Sequence, residues 1–551
     1  MNYNKNARKS KYNPRLNVAN TDSSSSSQSL SPSQRTNLTR VSRTQPIIPA
    51  TAIFPIPEQA SKTSEEPMSQ APISKQSIAD PLLPTEEQPT YNVEKISEDY
   101  KPIVVKLAEI EDTDIHIKPI FSLNIDYPKT AYGFQHFLHA QKNKMEIVNE
   151  FKNKKKVFRV MNLFERRVDN YSEDIDNVSK TYFNIGKSGA PDILSRGFFK
   201  LWELLFMFDL IDINNENFVS AHLADGSGGF VQATISYRDK FSNKSKNDKY
   251  YVITLHPEDQ DDHVEDLDKT FTRYYEKEKP QRLFMHKTYP SQVAGSSPDK
   301  DNGDLTDPKT IRLFGGQMGK NRANLVTADG GINWENENTQ EQEIFRLLYS
   351  QIVQTCKIQK KGGNTVIKFF ETYTNTSVKL LYILSTMYEE IILAKPLSSR
   401  KSNSEKYAIC RKFKYNENDK KYIEIMKNME NTLVEIHKKD KKYHIIDLLP
   451  NFIIPKSFID PIIYLNNNIA NKQVKSINEI VGFIKDQNYY GDVYQMRRQM
   501  QIDASKYWIS LYFPPAKEIS NISIQIRNNT KTIIDDNNKQ IEILSKKITT
   551  P

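Results

Sequence analysis

The sequence predicts an α/β protein: a Rossmann-like, doubly wound sheet with helical flanks before and after it and a disordered N-terminal tail. Three observations predict it. Between about residues 190 and 415, short β-branched and aromatic runs alternate with longer segments of helical period. A glycine-rich turn, Leu223-Ala-Asp225-Gly226-Ser227-Gly228-Gly229-Phe230, stands between the first of those runs and the helical segment after it. Before about residue 95 the chain is rich in Ser, Pro, Gln and Thr and poor in aromatics, so it buries too little surface to offset ordering entropy.

Each element of the central region follows from local pattern. A helix over 198–208 places Leu201, Leu204, Leu205 and Phe208 on one side. Strands are expected over 218–223, 250–255, 324–328, 365–370, 390–394 and 407–413, where β-branched and aromatic residues concentrate. Helices are expected after the glycine turn and over 340–356 and 378–388. The charged stretch 256–300, opening His256-Pro-Glu-Asp-Gln-Asp-Asp-His263, reads as an inserted loop. The domains are then a tail (1–95), a helical and basic flank (96–189), the sheet domain (190–415) and a mostly helical flank (416–551). The end after about 517 reads as either a helix or a frayed tail.

Bulk properties narrow the function. With 77 Lys and Arg against 68 Asp and Glu, the formal charge is +9, which favours a polyanionic partner. Segment 130–168, with Phe134, Phe137, Lys142, Lys144, Lys154, Lys155, Lys156 and Phe158, reads as helix with a cationic face. That face suits phosphate tracking or plain solubility. The basic start, with Arg8, Lys9, Lys11 and Arg15, reads as a solvated tail, with contact to nucleic acid as the other use. The two cysteines, Cys356 and Cys410, are too few for a disulfide framework or a cysteine zinc site. No run approaches a membrane span, and the opening residues have no apolar signal-peptide core. The expectation is a soluble, cytoplasmic protein with no membrane partner.

Two phosphate-loop look-alikes fail on spacing. Gly186-Lys187-Ser188 has Thr181 where the opening glycine belongs, and Gly315-Gly316-Gln-Met-Gly319-Lys320 ends in Asn321. The turn at Gly226–Gly229 is not the dinucleotide pattern either, because no third glycine follows at the required offset. Taken alone it is either a tight turn or a ligand loop. Its strand-before, helix-after setting favours a ligand approaching the backbone and free amides at the helix N-terminus.

Four separated residues stand out: Lys200 in Ser-Arg-Gly-Phe-Phe-Lys-Leu, Asp329 in Thr-Ala-Asp-Gly-Gly, Lys368 in Val-Ile-Lys-Phe-Phe, and Glu405 in Ser-Asn-Ser-Glu-Lys-Tyr407. Lys200 and Glu405 taken singly read as surface charges. Lys368 interrupts an apolar strand, so its charge needs a partner or a task. Asp329, at a strand end before Gly-Gly, is either such a group or a turn former.

Together these motifs resemble the FtsJ-type RNA 2′-O-methyltransferases, over roughly residues 190–415. Val252-Ile-Thr-Leu255 and Gly303-Asp304-Leu-Thr-Asp-Pro308 resemble the branch that modifies capped messenger RNA. The long flanks and the Asn- and Lys-rich composition are similar to forms encoded by large DNA viruses, acting in host cytoplasm or virion. The resemblance implies a methyltransferase sheet using S-adenosyl-L-methionine, with RNA, capped mRNA in particular, as substrate and other capping enzymes as partners. It assigns Lys200, Asp329, Lys368 and Glu405 as a catalytic tetrad requiring no metal. It assigns Gly226, Ser227, Gly228 and Gly229 to the methionine end of the cofactor, with Asp225 and Phe230 completing that turn, and Asp304 to the adenine.

The chemistry suits that tetrad. Lys368 is the candidate base for a 2′-hydroxyl, and a second cation, Lys200, lowers a neighbouring lysine's pKa by repulsion. Departures from the family pattern gather in the cofactor turn: Ser227 stands where Pro is usual, Asp225 where a small residue is usual, and His222 where an acid commonly ends the first strand. Asp225 is the candidate for the missing carboxylate. Alternatives are a ribosomal or transfer RNA substrate, or an idle RNA-binding or virion protein keeping the fold. Trp334 and Tyr289 are candidates for stacking a cap base, with packing as the other reading.

Overall fold

The computed structural model describes residues 100–549, apart from 111–113, 129–131, 152–158, 170–171, 173, 187–188, 257–266, 280, 287–300, 333 and 335. The tail, the start of the basic flank, Lys154, Lys155, Lys156, Phe158 and Tyr289 therefore lie outside the described residues.

Among the described residues ten strands are formed: β1 (Ile103–Lys106), β2 (Ile120–Ser122), β3 (Val219–Leu223), β4 (Lys249–Ile253), β5 (Leu283–Met285), β6 (Ala323–Ala328), β7 (Gln359–Phe369), β8 (Tyr388–Lys395), β9 (Lys406–Phe413) and β10 (His444–Asp447). Eight make one sheet in the order β1-β8-β9-β7-β6-β3-β4-β5, and β2 pairs β10 in a separate ribbon. The neighbours from β7 to β5 pair in parallel, whereas β9 runs antiparallel to both β7 and β8. The chain leaves β3 for β4 and β5 on one side and returns to β6 on the other. This reversal opens a crevice at the carboxyl ends of β3 and β6, where ligands bind in such sheets.

Period-2 alternation sorts the strand residues onto two faces. Ala221, Leu223, Tyr251, Ile253, Val326, Ala328, Ile367 and Phe369 join one core, while Tyr250, Val252, Leu325, Val366, Tyr407 and Ile409 join the other. Helices α1 (Tyr132–Asn143) and α2 (Ile175–Tyr182) precede the parallel strands. Within the sheet region lie α3 (Arg196–Phe208), α4 (Gly229–Phe241), α5 (Lys269–Glu278), α6 (Pro308–Met318), α7 (Gln340–Ile358) and α8 (Asn375–Met387). After it come α9 (Lys420–Lys438), α10 (Lys456–Lys485), α11 (Asp492–Tyr512) and α12 (Ile519–Thr549). The first core takes in α6 to α10, and the second takes in α3, α4, α5, α11 and α12.

Three differences from expectation have physical reasons. The stretch 256–300 is not only loop: its described part holds α5 and the edge strand β5, which pairs β4. Its charge hid one apolar pair at helical spacing, Phe271 and Tyr275, which is buried. The sheet also reaches outside 190–415, because β1, from the stretch read as the helical flank, pairs antiparallel with β8. Its β-branched run, Ile103-Val104-Val105, sits at the lower limit of strand length, and pairing with β8 fixes it. Lys142, read as part of an exposed cationic face, has a buried ammonium 3.1 Å from Glu371 Oε1. In keeping with their spacing, Gly315, Gly316 and Gly319 end α6 and form no phosphate loop. The segment after 517 is the helix α12, and no helix among the described residues is long and apolar enough to cross a membrane.

Candidate active site

The four singled-out residues converge at the carboxyl edge of the sheet. Lys368 is the penultimate residue of β7 and shares the parity of Val366, so alternation turns it toward α3. Lys200 lies on α3, whose first turn is capped by Ser195 accepting from Gly197 N at 3.2 Å. Asp329 directly follows β6, and its amide donates to Leu223 O at 3.2 Å. Glu405 directly precedes β9. The sequence holds these residues up to 205 positions apart, and the sheet brings them into two ion pairs.

Lys200 Nζ lies 2.7 Å from Glu405 Oε1 and 2.9 Å from Oε2. Lys368 Nζ donates to Asp329 O at 2.7 Å and lies 3.2 Å from Asp329 Oδ1. Tyr407 stands between the pairs: its hydroxyl donates to Asp329 Oδ1 at 3.3 Å, and burial with the Asp329 and Glu405 charges pushes its pKa up. Ser399 Oγ donates to Glu405 Oε1 at 2.9 Å. Gly331 is exposed, and a Cβ there would stand 3.6 Å from Lys368 Nζ, in ordinary contact. Gly330 is needed: a Cβ would come within 2.7 Å of the Gln351 amide, which accepts from Gly330 N.

Burial and neighbouring charges act on Lys200 together. Burial lowers its pKa, Glu405 and Asp329 oppose, and Arg196 and Lys368 push it down further. Burial pushes Glu405 up, but Lys200, Lys368 and Lys395 together hold it well below the usual carboxylate range. One contributor went unassigned from sequence. Lys395 ends the apolar strand β8, and its buried Nζ donates to Glu405 O at 2.8 Å, Asn403 Oδ1 at 2.8 Å and Asn403 O at 3.0 Å. Burial brings its pKa down to about 7. A lysine closing Ile391-Ile392-Leu393-Ala394 is the same signal that singled out Lys368.

The cofactor turn is built otherwise. Asp225 does not face the crevice as a free carboxylate: Oδ2 accepts from Val231 N at 2.8 Å and Oδ1 from Phe230 N at 3.3 Å. It therefore closes the α4 N-terminus that the sequence left open for a ligand. Burial raises its pKa to about 7. His222 is buried between Ser220 Oγ at 2.9 Å and Thr327 Oγ1 at 2.8 Å, and burial lowers its pKa to about 3, so it is a neutral bridge between β3 and β6. Gly229 is spent on packing, since a Cβ would collide with Ser195 Oγ and sit 3.1 Å from Phe198 N. Gly228 adopts φ 81, and Phe230 is fully buried in the second core. Gly226 and Ser227 remain half-buried at the crevice.

Asp304 stands half-buried beside the end of β4, where His256 N donates to Asn302 O at 2.7 Å. Its Oδ1 accepts from Thr306 N at 2.9 Å and Thr306 Oγ1 at 2.7 Å. Gly303, at φ 77, lets that loop abut Thr254 O. Trp334 packs edge-on against Phe370 at 4.7 Å between ring centroids, beside Lys368. No group of three metal-ligating side chains occurs among the described residues.

Residues 193–413 match the family model of FtsJ-like methyltransferases. The chain carries an FtsJ-like methyltransferase domain. Over 216 residues it is 32% identical to the cap-specific mRNA (nucleoside-2′-O-)-methyltransferase 1 of Caenorhabditis elegans, covering 38% of this chain and 23% of that protein. Over 190 residues it is 30% identical to the human protein of the same name, covering 34% and 22%. Over 216 residues it is 29% identical to a Caenorhabditis briggsae protein named inactive cap-specific mRNA (nucleoside-2′-O-)-methyltransferase 1B, covering 38% and 25%. The chain thus spans about a quarter of the length of these curated relatives. The tetrad and the cofactor turn both fall within the FtsJ-like stretch, whereas both flanks lie outside it.

Proposed function

We propose that this chain transfers a methyl group from S-adenosyl-L-methionine to the ribose 2′-hydroxyl of a cap-proximal nucleotide of messenger RNA. The observation that carries the reading is the pair of ion pairs, Lys200–Glu405 and Lys368–Asp329, with Tyr407 between them at the carboxyl edge of an FtsJ-like sheet. Capped mRNA as the substrate rests on the relatives' names and on the net charge of +9.

When bound, S-adenosyl-L-methionine supplies an electrophilic methyl on sulfur. Gly226 and Ser227 would hold its methionine end through the crevice backbone, and Asp304 its adenosine end. Lys368 takes the hydroxyl proton at Nζ, while Asp329 fixes Nζ through both its backbone and side-chain oxygens. Lys200, held by Glu405, sets a cation beside the oxygen as negative charge develops. A positioned base of this kind contributes about 10²–10⁴-fold, and alignment of hydroxyl and methyl supplies much of the rest.

The test is transfer of labelled methyl to matched capped and uncapped short RNAs, with Lys368→Ala alongside. Transfer to capped RNA alone, lost in the variant, supports the reading. Equal transfer to uncapped RNA moves the substrate to another RNA class. A second reading, an idle protein keeping the fold, draws on the Asp225-closed turn and on the inactive relative. No transfer, with no binding of S-adenosyl-L-methionine by calorimetry, would make it the better one. The Asn- and Lys-rich composition supports a large-DNA-virus origin, with action in host cytoplasm or virion beside other capping enzymes. Crosslinking from infected cells that recovers no capping enzyme would count against that last part.

A further inference from the structure

The loop between β8 and β9 ends in Glu405, and the flanks outside the FtsJ-like stretch grip it. From the C-terminal flank, Gln473 Nε2 on α10 donates to Ser402 O at 3.1 Å. Trp508 Nε1 on α11 donates at 3.2 Å to Glu203 Oε2, and Glu203 accepts from Leu397 N at 2.6 Å and Ser398 N at 3.2 Å. From the N-terminal flank, Glu165 does more than hold the loop. Its Oε2 accepts from Arg400 Nε at 2.8 Å and from Arg196 Nη1 at 3.2 Å. Arg196 lies one turn before Lys200 on α3, and its Nη2 donates to Ser398 O at 2.7 Å. Arg400 lies on the loop itself.

Glu165 therefore joins the helix that carries Lys200 to the loop that carries Glu405. Its side chain is 2% exposed, and its second oxygen is occupied by Arg166 N at 3.2 Å. Burial pushes the carboxyl up, but Arg196 and Arg400 hold it below its ordinary range, so it is an anion shared by both guanidiniums. With that anion removed, Arg196 and Arg400 are left facing each other next to the Lys200–Glu405 pair. We infer that Glu165 is a positioning residue for methyl transfer: it fixes the separation of Lys200 and Glu405 from outside the methyltransferase domain. The inference rests on the function proposed above. It gives the N-terminal flank a task in catalysis that the domain match does not contain.

The experiment uses the full chain and a capped RNA that the wild type methylates. Glu165→Gln keeps the shape and removes the charge, Glu165→Asp keeps the charge, and Arg400→Gln removes the more exposed partner. Asp239→Asn, which loosens the Asp239–Arg282 pair on the far part of the sheet, is the stability control. Misplacement of a catalytic group by about 1 Å costs up to about a hundredfold, so Glu165→Gln should lower kcat by about ten- to a hundredfold. The KM for S-adenosyl-L-methionine should stay within about twofold, Glu165→Asp should recover part of kcat, and Arg400→Gln should move kcat the same way. A Glu165→Gln enzyme with wild-type kcat overturns the inference. So does a parallel loss of kcat, cofactor KM and melting temperature that Asp239→Asn reproduces. A wild-type chain that methylates no RNA overturns both this inference and the proposed function, whereas an active wild type with a silent Glu165 overturns the inference alone.

Discussion

The two ends of the candidate site solve their problems by different means. At the acceptor end, Lys200, Lys368, Asp329 and Glu405 are held by one another's charge, with Tyr407, Ser399 and Lys395 filling the remaining positions. At the cofactor end the work is done by backbone and shape: Asp225 caps α4, Gly229 admits α3, and Gly303 lets its loop reach β4. The comparison teaches that a buried charge constrains its partners over long distances, whereas a glycine turn constrains only its neighbours. The acceptor end should accordingly be sensitive to charge and pH, and the cofactor end to volume.

The largest expected effect breaks the acceptor end outright. Lys368→Ala should lower methyl transfer by about 10²–10⁴-fold while binding of S-adenosyl-L-methionine persists by calorimetry. Loss of cofactor binding in that variant would show that the two ends are not separate.

The next sharpens the charge dependence. Lys395 has a pKa brought down by burial from 10.5 to about 7. A depressed folded-state value means that its stabilising contribution is present above pH 10.5 and is lost as pH falls through about 7. Wild-type stability should rise relative to Lys395→Met between pH 7 and 10, read as the denaturation midpoint in urea. Parallel curves would remove Lys395 from the electrostatic argument.

At the cofactor end, Gly229→Ala should cost about 1–3 kcal/mol through overpacking against Ser195 and Phe198, measured as a drop in melting temperature. Asp225→Ala should cost about 1 kcal/mol, the value of a helix cap. It should leave affinity for S-adenosyl-L-methionine nearly unchanged, because both Asp225 oxygens face α4. A large loss of cofactor affinity in Asp225→Ala would restore the carboxylate to the ligand site and erase the contrast.

Much of this architecture was legible in the residues. Strands β3, β4, β6, β8 and β9 and helices α3, α7 and α8 stand within a few positions of where periodicity puts them, because runs such as Tyr250–Ile253 carry their preference locally. Lys368 was legible for the same reason: a charge in an apolar strand is visible without coordinates. Strand β1 was not, since its run sits at the lower limit of strand length, and its place is set by pairing with β8. The direction of the Asp225 carboxylate was not legible either. The same residue in the same turn serves a ligand or a helix end, and the arrival of α4 decides between them.

The sequence by itself thus determined which segments become strand or helix and which residues have chemistry to spare, since period, propensity and residue type belong to the segment. Only the tertiary structure decided who meets whom. Lys200 finds Glu405, Glu165 spans Arg196 and Arg400, and Trp508 reaches Glu203 from 305 positions away. A charge taken out of water must be paired, but nothing in its own segment names the partner, which is fixed by strand order and helix layering.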